Sequence, residues 1–150
     1  MTQTSNPGPQ VYEDQSALLA SAARTSSPLT GSGNTAVFPG SIQGVNLTLD
    51  VTAAANDAGD KLDVYVQTKP DGTNWLDVCR FAQVLGTSTG IRKHAKIIAN
   101  AASTEFGTSA LSASQKRNVV GSEWRARWVV TAAATTGNES FTFSVVGQPY

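Results

Sequence analysis

The chain has 150 residues and no formal net charge, with 11 Lys and Arg against 11 Asp and Glu. That length suits one domain with a core of its own, and a single Cys excludes an internal disulfide framework. Charge balance argues against a dedicated nucleic-acid binder, and no apolar run approaches the ~18 residues of a transmembrane helix.

The first ten residues carry two Pro, one Gly and several small polar residues. They are expected to form an arm, with no basic start and apolar stretch of a secretory signal. Residues 1–40 read as an N-terminal arm and connector, and 41–150 as the folded domain. Within the first stretch, Glu13 to Arg24 fits two templates. Leu18, Leu19, Ala22 and Ala23 suit one helical face, and the same residues suit a small-residue strand. Thr25 to Gly44 is rich in Ser, Thr, Gly and Pro and reads as connection, with a short strand near Ala36-Val37-Phe38.

From Val45 the pattern sharpens. Val45, Leu47, Leu49 and Val51 alternate with Asn46, Thr48, Asp50 and Thr52, which is the period of a strand with one wet face. Leu62, Val64 and Val66 repeat the pattern against Asp63, Tyr65 and Gln67. Lys69-Pro70-Asp71-Gly72-Thr73-Asn74 then predicts a hairpin turn, because Pro presets one dihedral and Gly permits positive φ. The returning strand runs from Trp75 to Val84. Period two places Trp75, Cys79 and Phe81 on one face, with Leu76, Val78 and Ala82 on the other. Both faces are apolar, so this strand is central or carries a bulge.

Gly90 to Ala102 fits a helix through Ile91, Ala95, Ile98 and Ala102. It also fits a strand through Ile91, Ala95, Ile97 and Ala99, which places Lys93 on the apolar face. The strand is preferred, because the neighbouring elements are β. Ser103 to Ser122 reads as a long connection. In the last hairpin Trp124, Ala126, Trp128 and Val130 alternate with Arg125, Arg127, Val129 and Thr131. After a turn at Thr135-Thr136-Gly137-Asn138, Phe141, Phe143 and Val145 alternate with Thr142, Ser144 and Val146. The expected fold is all-β, an antiparallel β-sandwich or jelly-roll-like domain behind an extended arm, anchored by three Trp and five Phe.

The residues that carry chemistry are few. The sole His, His94, lies among Arg92, Lys93 and Lys96 with no carboxylate at ligand spacing, so no metal is expected there. Cys79 has no His base in its pattern and reads as a buried small hydrophobe. Asn56, Asp57 and Asp60 faintly suggest a calcium loop, but the closing Glu is missing at the expected spacing, so a solvated turn is expected. Asn46-Leu47-Thr48 and Asn138-Glu139-Ser140 match the glycosylation sequon by chance. Arg92, Lys93, His94 and Lys96 form one basic cluster, and Arg125 and Arg127 with Arg80 form another. Each suits phosphate or acidic sugar, or charges that protect edge strands and pair on an assembly surface. No catalytic, cofactor-binding or metal residue is assigned, and the chain is expected not to be an enzyme.

Leu62-Asp63-Val64-Tyr65-Val66-Gln67, the Asp71-Gly72 turn, and Trp75, Asp77 and Phe81 resemble a pattern of small tailed-bacteriophage virion proteins. Arg125-Ala126-Arg127, Phe141-Thr142-Phe143-Ser144-Val145 and Leu18 to Thr25 are similar to further blocks of such proteins. The family pattern often has Pro before the last hairpin, where Val119-Val120-Gly121-Ser122 stands here. The resemblance implies a non-enzymatic virion structural protein, most like a capsid decoration (cement) protein. It also implies a location in the virion, assembled in the host cytoplasm. The partners it implies are the major capsid protein and neighbouring copies in a symmetric homo-oligomer, with no membrane and no nucleic acid. Residues 1–15 and 103–122 are expected to make the attachment. The alternatives are a tail, neck or fibre component, or a carbohydrate-binding module using Trp75, Trp124 or Trp128.

Overall fold

A computed structural model describes residues 16–25, 30–33, 35–38, 42–54, 58–88, 90–99, 109–133 and 139–150. The N-terminal arm 1–15, Asn56 and Asp57, residues 103–108 and the Gly137-Asn138 turn lie outside these. Eleven strands and no helix are present among the described residues: β1 (Ser16–Thr25), β2 (Thr30–Ser32), β3 (Ala36–Val37), β4 (Gly44–Ala53), β5 (Lys61–Thr68), β6 (Leu76–Arg80), β7 (Val84–Leu85), β8 (Ile91–Ile98), β9 (Gln115–Lys116), β10 (Glu123–Thr131) and β11 (Ser140–Pro149). All pair antiparallel. One sheet has the order β1-β11-β4-β8; the other runs β2-β10-β5-β6-β9, with β3 on β10 and β7 on β5.

The two sheets pack as a β-sandwich. The alternating residues of β4 and β11, Val45, Leu47, Leu49, Val51, Phe141, Phe143 and Val145, are buried. They meet Leu62, Val64, Val66, Trp124, Ala126 and Val130 from β5 and β10 in one core. Trp124 is fully buried, and its indole N–H donates to the Gly121 carbonyl at 2.7 Å. Gly121 is required there, since a Cβ would lie 2.2 Å from the Lys69 carbonyl oxygen. The Trp124 ring packs against Phe38 at 5.8 Å between centroids.

Several sequence expectations are corrected. Residues 16–25, placed in an arm and connector and left open between helix and strand, are a full strand of the first sheet. Trp128 is half-buried rather than a core ring. It meets Phe143 edge-on at 6.2 Å, and the Arg24 guanidinium lies 4.9 Å from its ring centre. Trp75 does not share a face with Cys79 and Phe81. β6 pairs Cys79 with Val66 but Asp77 with Gln67, so Val78 is an extra residue. This bulge reverses the alternation. Cys79 and Phe81 enter the core, while Trp75 and Asp77 stand on the outer face. The stretch 109–122 is not a loose connection: Leu111 is buried, Val119 and Val120 pack on the core, and β9 extends the second sheet.

Candidate functional site

The outer face of the second sheet is built from the odd residues of β5, namely Asp63, Tyr65 and Gln67. Register places Arg127 beside Tyr65 and Arg125 beside Gln67 on one flank, and Arg80 and Asp77 on the other. Opposite charges then fall within reach. Arg80 pairs with Asp63 at 2.8 Å and Arg127 with Asp77 at 2.8 Å. Gln67 donates to Asp77 at 2.8 Å and accepts from Arg125 at 2.8 Å, and Gln83 donates to Asp63 at 2.9 Å. The Tyr65 ring is met by the Arg127 guanidinium at 3.7 Å and by that of Arg80 at 5.3 Å. The Trp75 ring is met by Arg125 at 4.2 Å and Lys69 at 4.8 Å.

The Asp63 carboxylate holds the Arg80 guanidinium above its ordinary pKa. Burial works against the Arg127 charge, but Asp77 and Tyr65 outweigh it and the pKa rises. Arg125 goes the other way, lowered first by burial and then by Arg127. Two of the three cations of the second basic cluster are thus paired with carboxylates of their own sheet, while Arg125 is held by the Gln67 amide and the Trp75 ring. These cations are directed at carboxylates and aromatic faces of this chain, which fixes β5, β6 and β10 relative to one another.

The first basic cluster is committed only in part, with the Lys96 ammonium 4.7 Å from the Tyr150 ring centre. Among the described residues β8 is the edge of the first sheet and pairs with β4 on one side only. Its odd residues face inward, so Lys93 stands in the same row as the buried Ile97. His94 and Lys96 are exposed, and Arg92 reaches Asp50 at 2.9 Å. His94 Nδ1 lies 3.0 Å from the Thr48 hydroxyl. Opposite β8, the second sheet ends in β9. Lys116 bridges the two edges by donating to the Lys96 carbonyl at 2.6 Å, and Ile98 N–H donates to Asn118 at 3.2 Å.

Between the two edges lies a cleft of about 510 Å³ whose polar lining among the described residues includes Arg80, Lys93, His94, Lys96 and Lys116 and no carboxylate. Lys93 occupies a core-row position because the sandwich opens into this cleft. Nothing in the sequence pattern points to Lys116. It lies 20 residues from Lys96 in a two-residue strand, too short for periodicity to register.

Cys79 contributes to the cleft wall and is buried. Burial raises its thiol pKa to about 12, against a smaller opposing pull from Lys116. Asp60 is buried and accepts from Ala133 N–H at 2.9 Å, so it is no solvated turn residue. Among the described residues no three His, Cys, Asp or Glu side chains gather as a metal site. Of the three indoles proposed as sugar platforms, Trp124 is buried, Trp128 carries Arg24, and Trp75 carries Lys69 and Arg125. Comparison with protein-family models, with curated proteins and with solved structures returned no significant match.

Proposed function

We propose that this chain is a non-enzymatic virion structural protein that decorates and stabilises a phage capsid from its outer surface, beside further copies of itself. The observation that carries this reading is where the residues of the resemblance fall. Asp63, Tyr65, Gln67, Trp75, Asp77, Arg125 and Arg127 converge on one network and use their polar groups on one another. Leu62, Val64, Val66, Phe81, Phe141, Phe143 and Val145 form the core directly beneath. The shared pattern is therefore a recipe for a rigid sandwich, as a scaffold requires, and its charged groups are already occupied. Edge strands and an arm supply the means of attachment. Many weak contacts repeated by symmetry then give firm binding.

The test is immunogold labelling of gradient-purified particles from the source, with antiserum against the purified chain. Label is expected over the heads at regular density. Label on tails would move the chain to the rival place in the particle, and its absence from particles by mass spectrometry would overturn the reading. A truncation lacking residues 1–15 is expected to fold normally yet fail to occupy heads at full density.

A further inference from the structure

We infer that the Arg92–His94 stretch at the edge of β8 is a docking site for an extended acidic segment of a partner protein, which adds a strand to the first sheet and lays carboxylates over the cleft. Two features of the molecule lead there. The first is backbone geometry. Ala99 N–H points toward β4, donating to Gln43, while Ile98 N–H and the Lys96 carbonyl point away and are reached from Asn118 and Lys116. In an antiparallel strand one residue's N–H and C=O point the same way. The backbone groups of Arg92 and His94 therefore also point outward, where the sheet has no further strand among the described residues. They present a template for strand addition.

The second feature is charge. Lys93, Lys96 and Lys116 all line the cleft; Lys93 stands in the inward row of β8, and Lys96 in the outward row with its ammonium 4.7 Å from the Tyr150 ring centre. A bound strand alternates its side chains between the inward and outward sides, so it meets cations on both. The same charges reject a second copy of β8, because antiparallel self-pairing sets cation against cation. A Lys-bearing edge normally blocks any added strand. Here the block is selective, closed to its own kind and complementary to an acidic one. The cleft lies within the usual range of ligand pockets, ~300–1,000 Å³, and leaves room for the inward side chains of a short strand. The site is a property of the isolated chain and stands whether or not the chain belongs to a particle.

The test uses the full chain and a fluorescein-labelled peptide alternating Glu and Val, read by fluorescence anisotropy. Saturable binding is expected, weakening at least about tenfold between about 50 and about 500 mM salt. The Lys93→Glu/Lys96→Glu double variant should weaken it by about tenfold or more, with unchanged circular dichroism. His94→Pro separates strand addition from simple charge attraction. It removes an outward N–H that β4 does not use, so the fold should persist while peptide binding is lost. A peptide N-methylated at alternate residues should likewise fail. Equal binding of the N-methylated peptide, or of the plain peptide to His94→Pro, would overturn strand addition. So would no binding of the Glu/Val peptide at low salt, or tighter binding of a single-stranded oligonucleotide.

Discussion

Asp71 builds its own turn. Its carboxylate accepts from the backbone N–H of Asn74 at 2.7 Å, from the Asn74 side-chain amide at 2.8 Å and from the Thr73 N–H at 2.9 Å. These bonds need the ionised form, and they hold its pKa at about 2. The folded value lies below the ordinary one, so the turn's contribution is complete above the ordinary aspartate range and disappears as pH falls through about 2. A side-chain NMR titration should find that midpoint, and Asn74→Ala should raise it. Glu139 is the opposite case. It has no solvent exposure and neither carboxylate oxygen has a hydrogen-bond partner. An apolar side chain of similar length should do better there: Glu139→Met is expected to raise stability by ~1–3 kcal/mol, read from urea midpoints. A loss of stability would mean that the carboxylate has a partner in solution. For Cys79, a thiol pKa of about 12 means almost no thiolate at mildly alkaline pH. A disulfide reagent should label it only at the rate of unfolding. Fast labelling of folded protein would show that the cleft reaches the sulfur.

At the level of strands, legibility tracked regularity. β4, β5, β10 and β11 each send one residue in two into the core, so alternation in the sequence exposed them directly. β1 was ambiguous because register shifts between Ala17 and Leu19 and between Leu19 and Ala22 break its period, and Leu18 and Leu19 are buried side by side. The Val78 bulge does the same to β6: two apolar faces signal a bulge but not its position, and strict alternation therefore puts Trp75 on the wrong face. β9 spans two residues and leaves no periodic trace. The candidate site divides the same way. Its β8 cations were visible as a cluster, and the oddity of Lys93 in an apolar row was visible too. That this oddity marks a cleft depends on Lys116, which only tertiary pairing brings near. The bulge also has an energetic consequence, since it turns Asp77 outward to meet Arg127. A double-mutant cycle on Asp77→Asn and Arg127→Gln should give a coupling of ~0.5–3 kcal/mol. Additive effects would mean that the pair is screened and the network does not brace the sheet.

In the whole molecule, the first sheet is assembled from distant parts of the chain. Its two inner strands are β11 and β4, and β11 is covered on its far side by β1. Deleting residues 1–25 should therefore strip two buried leucines, Leu18 and Leu19, and bare the edge of β11. Each lost leucine is worth ~2–5 kcal/mol, so the deleted chain should lose cooperative thermal unfolding and aggregate. A sharp transition in that variant would show that the β4-β11-β8 core suffices. The same arrangement sets the order of events during synthesis. Ser16 is paired with Gly147, so β1 emerges early and then waits for nearly the whole described chain before its partner exists. During that interval it is an open, apolar strand on a nascent chain, exposed to every neighbouring copy being made on the same messenger. Slow ribosome passage should thus favour strand exchange between chains, and domain-swapped dimers should rise with expression rate and with rare codons placed between β4 and β11.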